Sequence, residues 1–194
     1  MTDFEQNIIN FNKQLSVDSI SYFNTEKLND YQPDVVIICG MGGSGLAGRI
    51  LQETAIEINL PVPVMIWSDY ELPRHAFKKP LFIFISFSGN TAETLSSLGK
   101  AQSANRLALG DARLAVITTG GQLKTMAEEG SLPLAIFPAG TLQPRQSTGY
   151  SFYALLGTLK NVFPGVKIVN LNDTFKTEEN RSLAAQLAKT IDKK

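Results

Sequence analysis

Cysteine, histidine and tryptophan are scarce in this sequence: each occurs once in 194 residues. A single cysteine excludes an internal disulfide. The chain also lacks an excess of charge of either sign, because 18 basic side chains are balanced by 18 acidic ones. A chain of zero formal net charge has no general basic surface, so we expect neither a nucleic acid nor an anionic membrane as partner.

Long hydrophobic runs are absent as well. The apolar stretches have about the length of a β-strand, whereas a transmembrane helix needs ~20 residues. The segment from Met1 to Glu5 lacks the basic and apolar regions of a signal peptide. Together with the single cysteine, these absences predict a cytoplasmic protein that does not enter the membrane.

Strands and helices alternate along the middle of the chain. Five short β-branched runs are continuous rather than alternating, which is typical of strands buried on both faces. They lie at 35–39, 62–67, 81–85, 114–118 and 134–137. Helical patterns lie at 44–54, 91–104, 122–129 and 148–163, and the spacing of Phe4, Ile8, Phe11 and Leu15 predicts an N-terminal helix. The alternation predicts an α/β fold: a doubly wound, five-stranded parallel sheet flanked by helices in three layers.

A turn rich in hydroxyl groups, Ser86-Phe87-Ser88-Gly89-Asn90-Thr91, follows the third predicted strand and precedes a helix. A helix N-terminus carries free N–H groups and a partial positive charge, and Ser and Thr hydroxyls add further donors. The turn therefore predicts a phosphate site. Asn90, with Glu93 three residues later, is typical of a capping box at the start of this helix.

A glycine loop, Gly40-Met41-Gly42-Gly43-Ser44-Gly45, follows the first predicted strand. It fits the pattern of dinucleotide-binding proteins, in which Asp69 after the next strand would bind a ribose. A third turn, Thr118-Thr119-Gly120-Gly121-Gln122, lies at the same predicted sheet edge. Because a dinucleotide site typically uses one glycine turn for its pyrophosphate, three such turns favour a single phosphate ester, and the dinucleotide reading remains the less favoured alternative.

These three turns, together with Gln143-Pro144-Arg145 and the following Gly149-Tyr150-Ser151, resemble the sugar isomerase (SIS) domain. More narrowly, they resemble the bifunctional phosphoglucose/phosphomannose isomerases, over about residues 35–163. The resemblance implies a hexose 6-phosphate substrate, a homodimer, no metal and no cofactor. It also implies that Arg145 stabilises an enediolate, a role that suits a fixed guanidinium. The substrate-binding residues that it implies are Gly42, Gly43, Ser44, Ser86, Ser88 and Thr91.

The groups that would move protons are missing from the motifs. The only histidine, His75, lies in a proline-containing loop, and we interpret it as solvated. The resemblance implies that the base and the ring-opening histidine come from a second SIS domain, so we expect this chain to isomerise poorly or not at all. We predict an N-terminal helical segment (1–34), an SIS domain (35–163) and a C-terminal linker and helix (164–194, with the helix over 177–194), without the second domain. A stand-alone sugar-phosphate-binding or regulatory module is the alternative.

Overall fold

The computed structural model describes residues 3–74, 77–104 and 110–168 of the chain. Its centre is a six-stranded sheet with the strand order β1-β6-β5-β4-β2-β3. Five strands are parallel, and β1 pairs antiparallel with β6 at one edge. The strands are β1 (Ser21–Phe23), β2 (Val35–Gly40), β3 (Val64–Trp67), β4 (Pro80–Ser86), β5 (Arg113–Thr118) and β6 (Leu134–Ile136).

Helices cover both faces of this sheet. They are α1 (Asp3–Ile9), α2 (Gly42–Glu53), α3 (Ala92–Ser103), α4 (Gly121–Glu129) and α5 (Thr148–Val162). Leu51 of α2 and Leu159 of α5 belong to the core cluster on one face, while Leu98 of α3 and Leu123 of α4 belong to the cluster on the other. All residues of β2 and β4 are buried, as expected for strands whose side chains are apolar on both faces of the sheet. The predicted three-layer α/β fold is confirmed.

The sheet differs from the prediction at one edge, because β1 makes it six-stranded rather than five-stranded. This strand has only three residues, and its register joins Ser21 to Ile136 and Phe23 to Leu134. A run of three residues is too short for a periodic pattern to be read from the sequence. The five parallel strands lie where they were predicted, with ends that shift by one or two residues.

The predicted N-terminal helix is confirmed only over Asp3–Ile9 and continues as a 3-10 helix over Phe11–Gln14. Phe4 and Phe11 are exposed, so the helical stripe does not become a buried face. Leu15 and Ile20 instead enter the core cluster that contains α5. Two further predictions, the solvated His75 and the helix at 177–194, concern residues outside the described ranges.

The order of the strands creates a crevice between the carboxyl ends of β2 and β4. After β2 the chain continues into α2 on one face, and after β4 it continues into α3 on the other face. Neighbouring strands whose connections leave in opposite directions form a topological switch point, where open α/β sheets bind ligands. In the described ranges, no helix has the length and apolarity needed to cross a membrane.

Candidate functional site

The glycine loop forms one wall of this crevice. Gly40 ends β2 and α2 begins at Gly42, whose φ is +50°. A β-carbon at Gly42 would have no atom within 4 Å, so this part of the loop faces open space. The N-cap residue Met41 makes no side-chain hydrogen bond to the helix. The first amides of α2 are therefore uncapped by Met41, and such N–H groups favour an anion.

The hydroxyl turn forms the second wall, and its own polar groups define its shape. The hydroxyls of Ser86 and Thr91 lie 2.8 Å apart, and the Gly89 N–H donates to Ser86 Oγ at 3.1 Å. Ser86 is 1% exposed, so its hydroxyl lies inside the turn. Ser88 is exposed, and its Oγ accepts from the Asn90 N–H at 3.2 Å. Ser86 thus holds the turn, while Ser88 and Thr91 are more accessible.

Asn90 does not cap α3, which corrects the predicted capping box. The N-cap of α3 is Thr91, which makes no side-chain hydrogen bond to the helix. Asn90 Oδ1 instead accepts from the Gln122 N–H in the first turn of α4, at 3.0 Å. The oxygen of an asparagine side chain can accept from a free N–H at the start of any helix within reach. Here that N–H belongs to the neighbouring helix, α4. The start of α3 is left open toward the crevice.

The third turn packs directly against the hydroxyl turn. A β-carbon at Gly89 would overlap Gly120 O, and Gly89 has a φ of +68°. A β-carbon at Gly121, with φ +69°, would overlap Ser88 O. The Thr119 hydroxyl donates to Phe87 O at 2.7 Å. The two turns therefore form one rigid unit, and the hydroxyls of the third turn serve its construction.

The Ser44 side chain links the glycine loop to the hydroxyl turn. Ser44, in the first turn of α2, accepts from the Phe87 N–H with its Oγ at 3.2 Å. Ser44 is 8% exposed, so this bond is largely shielded from water. The two predicted loops are consequently held side by side across the switch point, although they are more than forty residues apart in sequence.

The predicted arginine lies on a third loop beside the glycine loop. Arg145 belongs to a 3-10 helix, Pro144–Ser147, directly before α5. A β-carbon at Gly43 would approach Pro144 O to 3.0 Å and Arg145 Cα to 3.5 Å, so glycine permits a close approach that a side chain would loosen by a few tenths of an ångström. The Arg145 side chain is exposed. The structure thus connects all the predicted site residues through Gly43, Ser44 and the hydroxyl turn.

Cys39 lies beneath the glycine loop and is 1% exposed. Burial raises the pKa of its thiol well above the ordinary value, because the thiolate is disfavoured in an apolar surrounding. The thiol is therefore part of the core. In the described ranges, no three acidic, histidine or cysteine side chains come together as a set of metal ligands.

A narrow cavity adjoins the crevice on the α3 side. Gly40, Trp67, Asp69, Glu93 and Thr94 are among the residues that line it. Trp67 Nε1 and Thr94 Oγ1 are buried and have no hydrogen-bond partner in the described part of the chain. The cavity is too small to admit a water molecule, so these two polar atoms are buried without a partner among the described residues, which costs stability.

Relatives in sequence carry phosphosugar names, although no family model matches the chain. It is 35% identical over 178 residues to a bifunctional phosphoglucose/phosphomannose isomerase of Thermoplasma volcanium, covering 88% of this chain and 52% of that protein. It is 41% identical over 123 residues to the protein of the same name from Caldicellulosiruptor bescii, covering 63% and 34%. A D-glucosamine-6-phosphate 4-epimerase of Sulfolobus acidocaldarius is 38% identical over 101 residues, covering 52% and 29%. The chain spans about half the length of the Thermoplasma relative, and less of the others.

Solved structures share the fold at low identity. The tagatose-6-phosphate ketose/aldose isomerase of Escherichia coli is similar with a TM-score of 0.55 and 17% identity, covering 97% of this chain and 52% of that one. The C-terminal domain of glucosamine-fructose-6-phosphate aminotransferase from Francisella tularensis has a TM-score of 0.51 and 18% sequence identity. The match covers 96% of this chain and 51% of that one. At such identities the likeness concerns the fold alone, which is that of the SIS domain.

Proposed function

Because the chain is related to the bifunctional phosphoglucose/phosphomannose isomerases and has the SIS fold, we propose that it binds a hexose 6-phosphate at the switch point. The observation that carries the proposal is the joining of three loops around one crevice. The Ser44 hydroxyl joins the glycine loop to the hydroxyl turn, and the contact between Gly43 and Pro144 adds the arginine loop. In this proposal the hydroxyl turn supplies the donors for the phosphate, and Arg145 reaches the other end of the sugar phosphate.

In this proposal the phosphate lies at the start of α3. The exposed Ser88 hydroxyl and the half-buried Thr91 hydroxyl donate to its oxygens, together with the first amides of the helix. Ser86 orients Thr91 through their mutual hydrogen bond. Gly42, Gly43 and Ser44 line the sugar side, where the absence of side chains at the glycines leaves room for the substrate.

We further propose that Arg145 acts at C1 and C2 of the sugar, the end away from the phosphate. Moving a hydrogen between C1 and C2 of an aldose or ketose phosphate places negative charge on the enediolate oxygens. A guanidinium held beside these oxygens stabilises that charge more than it stabilises the neutral substrate, which is the requirement for catalysis. Arg145 is exposed, and the planar guanidinium with its several N–H donors suits this role.

The proton transfers require groups beyond these loops. We propose that a second SIS domain supplies the base and the ring-opening histidine, with 1–34, 35–163 and 164–194 as the N-terminal segment, first SIS domain and linker. A homodimer and a cytoplasmic location are also parts of the proposal. Light scattering of the purified chain tests the dimer, and fractionation of the source cells tests the location.

Thermal denaturation of the full chain with candidate ligands tests the binding proposal. A ligand at 100 times its Kd stabilises the folded state by about 2.7 kcal/mol, so we expect fructose 6-phosphate to raise Tm by several degrees. Fructose without the phosphate is the matched control and leaves Tm unchanged. A shift with NAD and none with fructose 6-phosphate would contradict the proposal and favour the dinucleotide alternative, in which Asp69 contacts a ribose.

The second candidate is a sugar-phosphate-binding or regulatory module without catalysis. It rests on the same loops, whose hydroxyl groups and helix-start amides suit phosphate binding with or without a catalytic step. Both candidates share the same binding site, so the coding sequence downstream of Lys194 separates them. A continuation with a second SIS pattern supports the isomerase, and a stop codon supports the module.

A further inference from the structure

Arg145 sits on a loop that is held from two sides. On one side, Gly43 of the glycine loop contacts the main chain of Pro144 and Arg145. On the other side lie residues 3–20, the first part of the N-terminal segment, which contain none of the sequence motifs. The loop itself is short, since the 3-10 helix has four residues. Contacts from outside the loop therefore determine the position of the main chain from which the Arg145 side chain extends.

Gln146, the residue next to Arg145, receives contacts at both its side chain and its main chain. Its Oε1 accepts from the Gln143 N–H at 2.9 Å, which closes the loop on itself. The same Oε1 accepts from Asn7 Nδ2 at 3.3 Å, and Gln146 O accepts from Gln14 Nε2 at 2.7 Å. Two side chains of the N-terminal segment thus bind the residue that follows the arginine.

Gln14 is fixed more firmly than a surface glutamine. It is 2% exposed, and Gly149 in the first turn of α5 lies beneath it. A β-carbon at Gly149 would come within 2.7 Å of Gln14 Cβ, so the two residues are in close contact. Because Gln146 O is an acceptor only, the amide of Gln14 must present its nitrogen there. Its Oε1 is buried without a hydrogen-bond partner in the described ranges, which costs folding free energy. The hydrogen bond from Nε2 to Gln146 O is thus kept despite that cost.

We propose that Gln14, assisted by Asn7, is a positioning residue for Arg145. The N-terminal segment fixes the arginine loop against the glycine loop, so that the guanidinium is kept at the sugar end of the crevice. Neither glutamine nor asparagine contacts the substrate in this arrangement, and both act through Gln146. The inference rests on the proposed function, because it assigns Arg145 the charge that develops on the substrate.

The test compares two probes that depend differently on Arg145. Inorganic phosphate requires only the hydroxyl turn, whereas D-arabinonate 5-phosphate adds a carboxylate that takes the place of the enediolate oxygens. Gln14→Glu preserves the size of the side chain and removes the Nε2 donor. We expect its affinity for the arabinonate to fall about tenfold and its affinity for phosphate to stay within about twofold, measured by calorimetry on the full chain.

Asn10→Asp is the matched control for the added charge. Asn10 lies in the same segment, but its amide donates to Gln6 O and does not contact the arginine loop. We expect this variant to retain the wild-type ratio of the two affinities. Because a buried carboxylate at position 14 could prevent folding, Asn7→Ala serves as the second variant, since Asn7 is only half-buried. It should lower the ratio in the same direction.

A double variant separates positioning from general destabilisation. In Arg145→Ala, adding Gln14→Glu should cause no further loss of arabinonate affinity, because Gln14 acts through the missing guanidinium. Equal ratios in wild type, Gln14→Glu and Asn7→Ala would overturn the inference while leaving the proposed function intact. If the wild type bound neither the arabinonate nor fructose 6-phosphate, the proposed function itself would fail.

Discussion

Ser86 and Ser88 are two residues apart, yet their hydroxyls have different surroundings. Ser86 is buried and both contacts of its Oγ lie within the turn, with Thr91 and with the Gly89 N–H. Ser88 is exposed, and its Oγ accepts from the Asn90 N–H. A hydroxyl that accepts from a backbone amide still has its proton to donate. In the proposed site, Ser88 is therefore the serine whose removal weakens anion binding at little cost to the turn, because the Asn90 N–H that donates to it belongs to an exposed residue.

We predict that Ser88→Ala weakens binding of fructose 6-phosphate about ten- to a hundredfold, since one hydrogen bond to a charged group is worth about 1.5–3 kcal/mol. Its Tm should match the wild type. Ser86→Ala should lower Tm as well as affinity, because the Gly89 N–H loses its acceptor in a buried site. Ser103→Ala, at the exposed far end of α3, is the control, and calorimetry with thermal denaturation measures all three. Unchanged affinity in Ser88→Ala would remove this residue from the site.

Cys39 gives a prediction on the pH dependence of stability. Its pKa is raised by burial, whereas an unfolded chain ionises its thiol near the ordinary pKa of about 8.5. Above that pH the unfolded state has lost the proton that the folded state retains. The free energy of unfolding should therefore fall by up to ~1.4 kcal/mol per pH unit, whereas below pH 8.5 the contribution is constant.

Urea denaturation between pH 7.5 and 10 measures this effect, with Cys39→Ala as the reference. The difference between wild type and variant should be constant up to about pH 8.5 and then shrink as the pH rises. Other groups titrate in both proteins and cancel in the difference. Parallel stability curves over the whole range would mean that the thiol ionises equally in the folded and unfolded states.

At the scale of elements, the hydroxyl turn and the third turn are built as a pair. Gly89→Ala would place a β-carbon on Gly120 O and within 2.7 Å of its carbonyl carbon, at a φ of +68°. We expect it to lower the free energy of unfolding by more than about 2 kcal/mol, because the strain of the backbone and the overlap add together. Loss of phosphate binding should accompany this destabilisation.

Gly99→Ala is the matched control on the helix that follows the same turn. Gly99 lies within α3, and the nearest atom to its β-carbon would be Met126 Cε at 3.9 Å, an ordinary contact. The substitution should raise the free energy of unfolding by about 0.5–1 kcal/mol, because alanine favours a helix more than glycine. Chemical denaturation distinguishes the two variants, and equal effects would contradict the paired packing of the turns.

Local patterns predicted the elements that have strong local signals. The buried strands and the helices between them follow from continuous apolar runs and helical spacing, and the turns follow from glycines and hydroxyls. The position of Asn90 next to Gln122 could not be predicted, because its partner is 32 residues away and the local signal favoured the nearer helix. The contact of Gln14 with Gln146, at a separation of 132 residues, likewise depends on how the N-terminal segment packs on α5.

At the scale of the whole molecule, the described residues supply binding groups more clearly than proton-transfer groups. Hydroxyls and helix-start amides border the crevice, and the exposed Arg145 lies on the loop beside Gly43. Asp69 and Glu93 line the narrow cavity beside it, and Glu93 is free of the predicted capping box because Thr91 is the N-cap. These two carboxylates are accordingly the candidates to test for a base within this chain.

We predict that the isolated chain binds fructose 6-phosphate and converts it to glucose 6-phosphate or mannose 6-phosphate at least about a thousandfold more slowly than a two-domain relative. A positioned acid or base contributes about 10²–10⁴-fold, and isomerisation of a cyclic sugar requires both a base and a ring-opening group. Coupled enzymatic detection of the products measures the rate.

Turnover near that of the relative would contradict the prediction, and Glu93→Gln and Asp69→Asn would then identify the base. If turnover is absent and binding persists, adding the second SIS domain of such a relative as a separate polypeptide should restore part of the rate, because the proposed site already holds the Arg145 loop and the hydroxyl turn against the glycine loop.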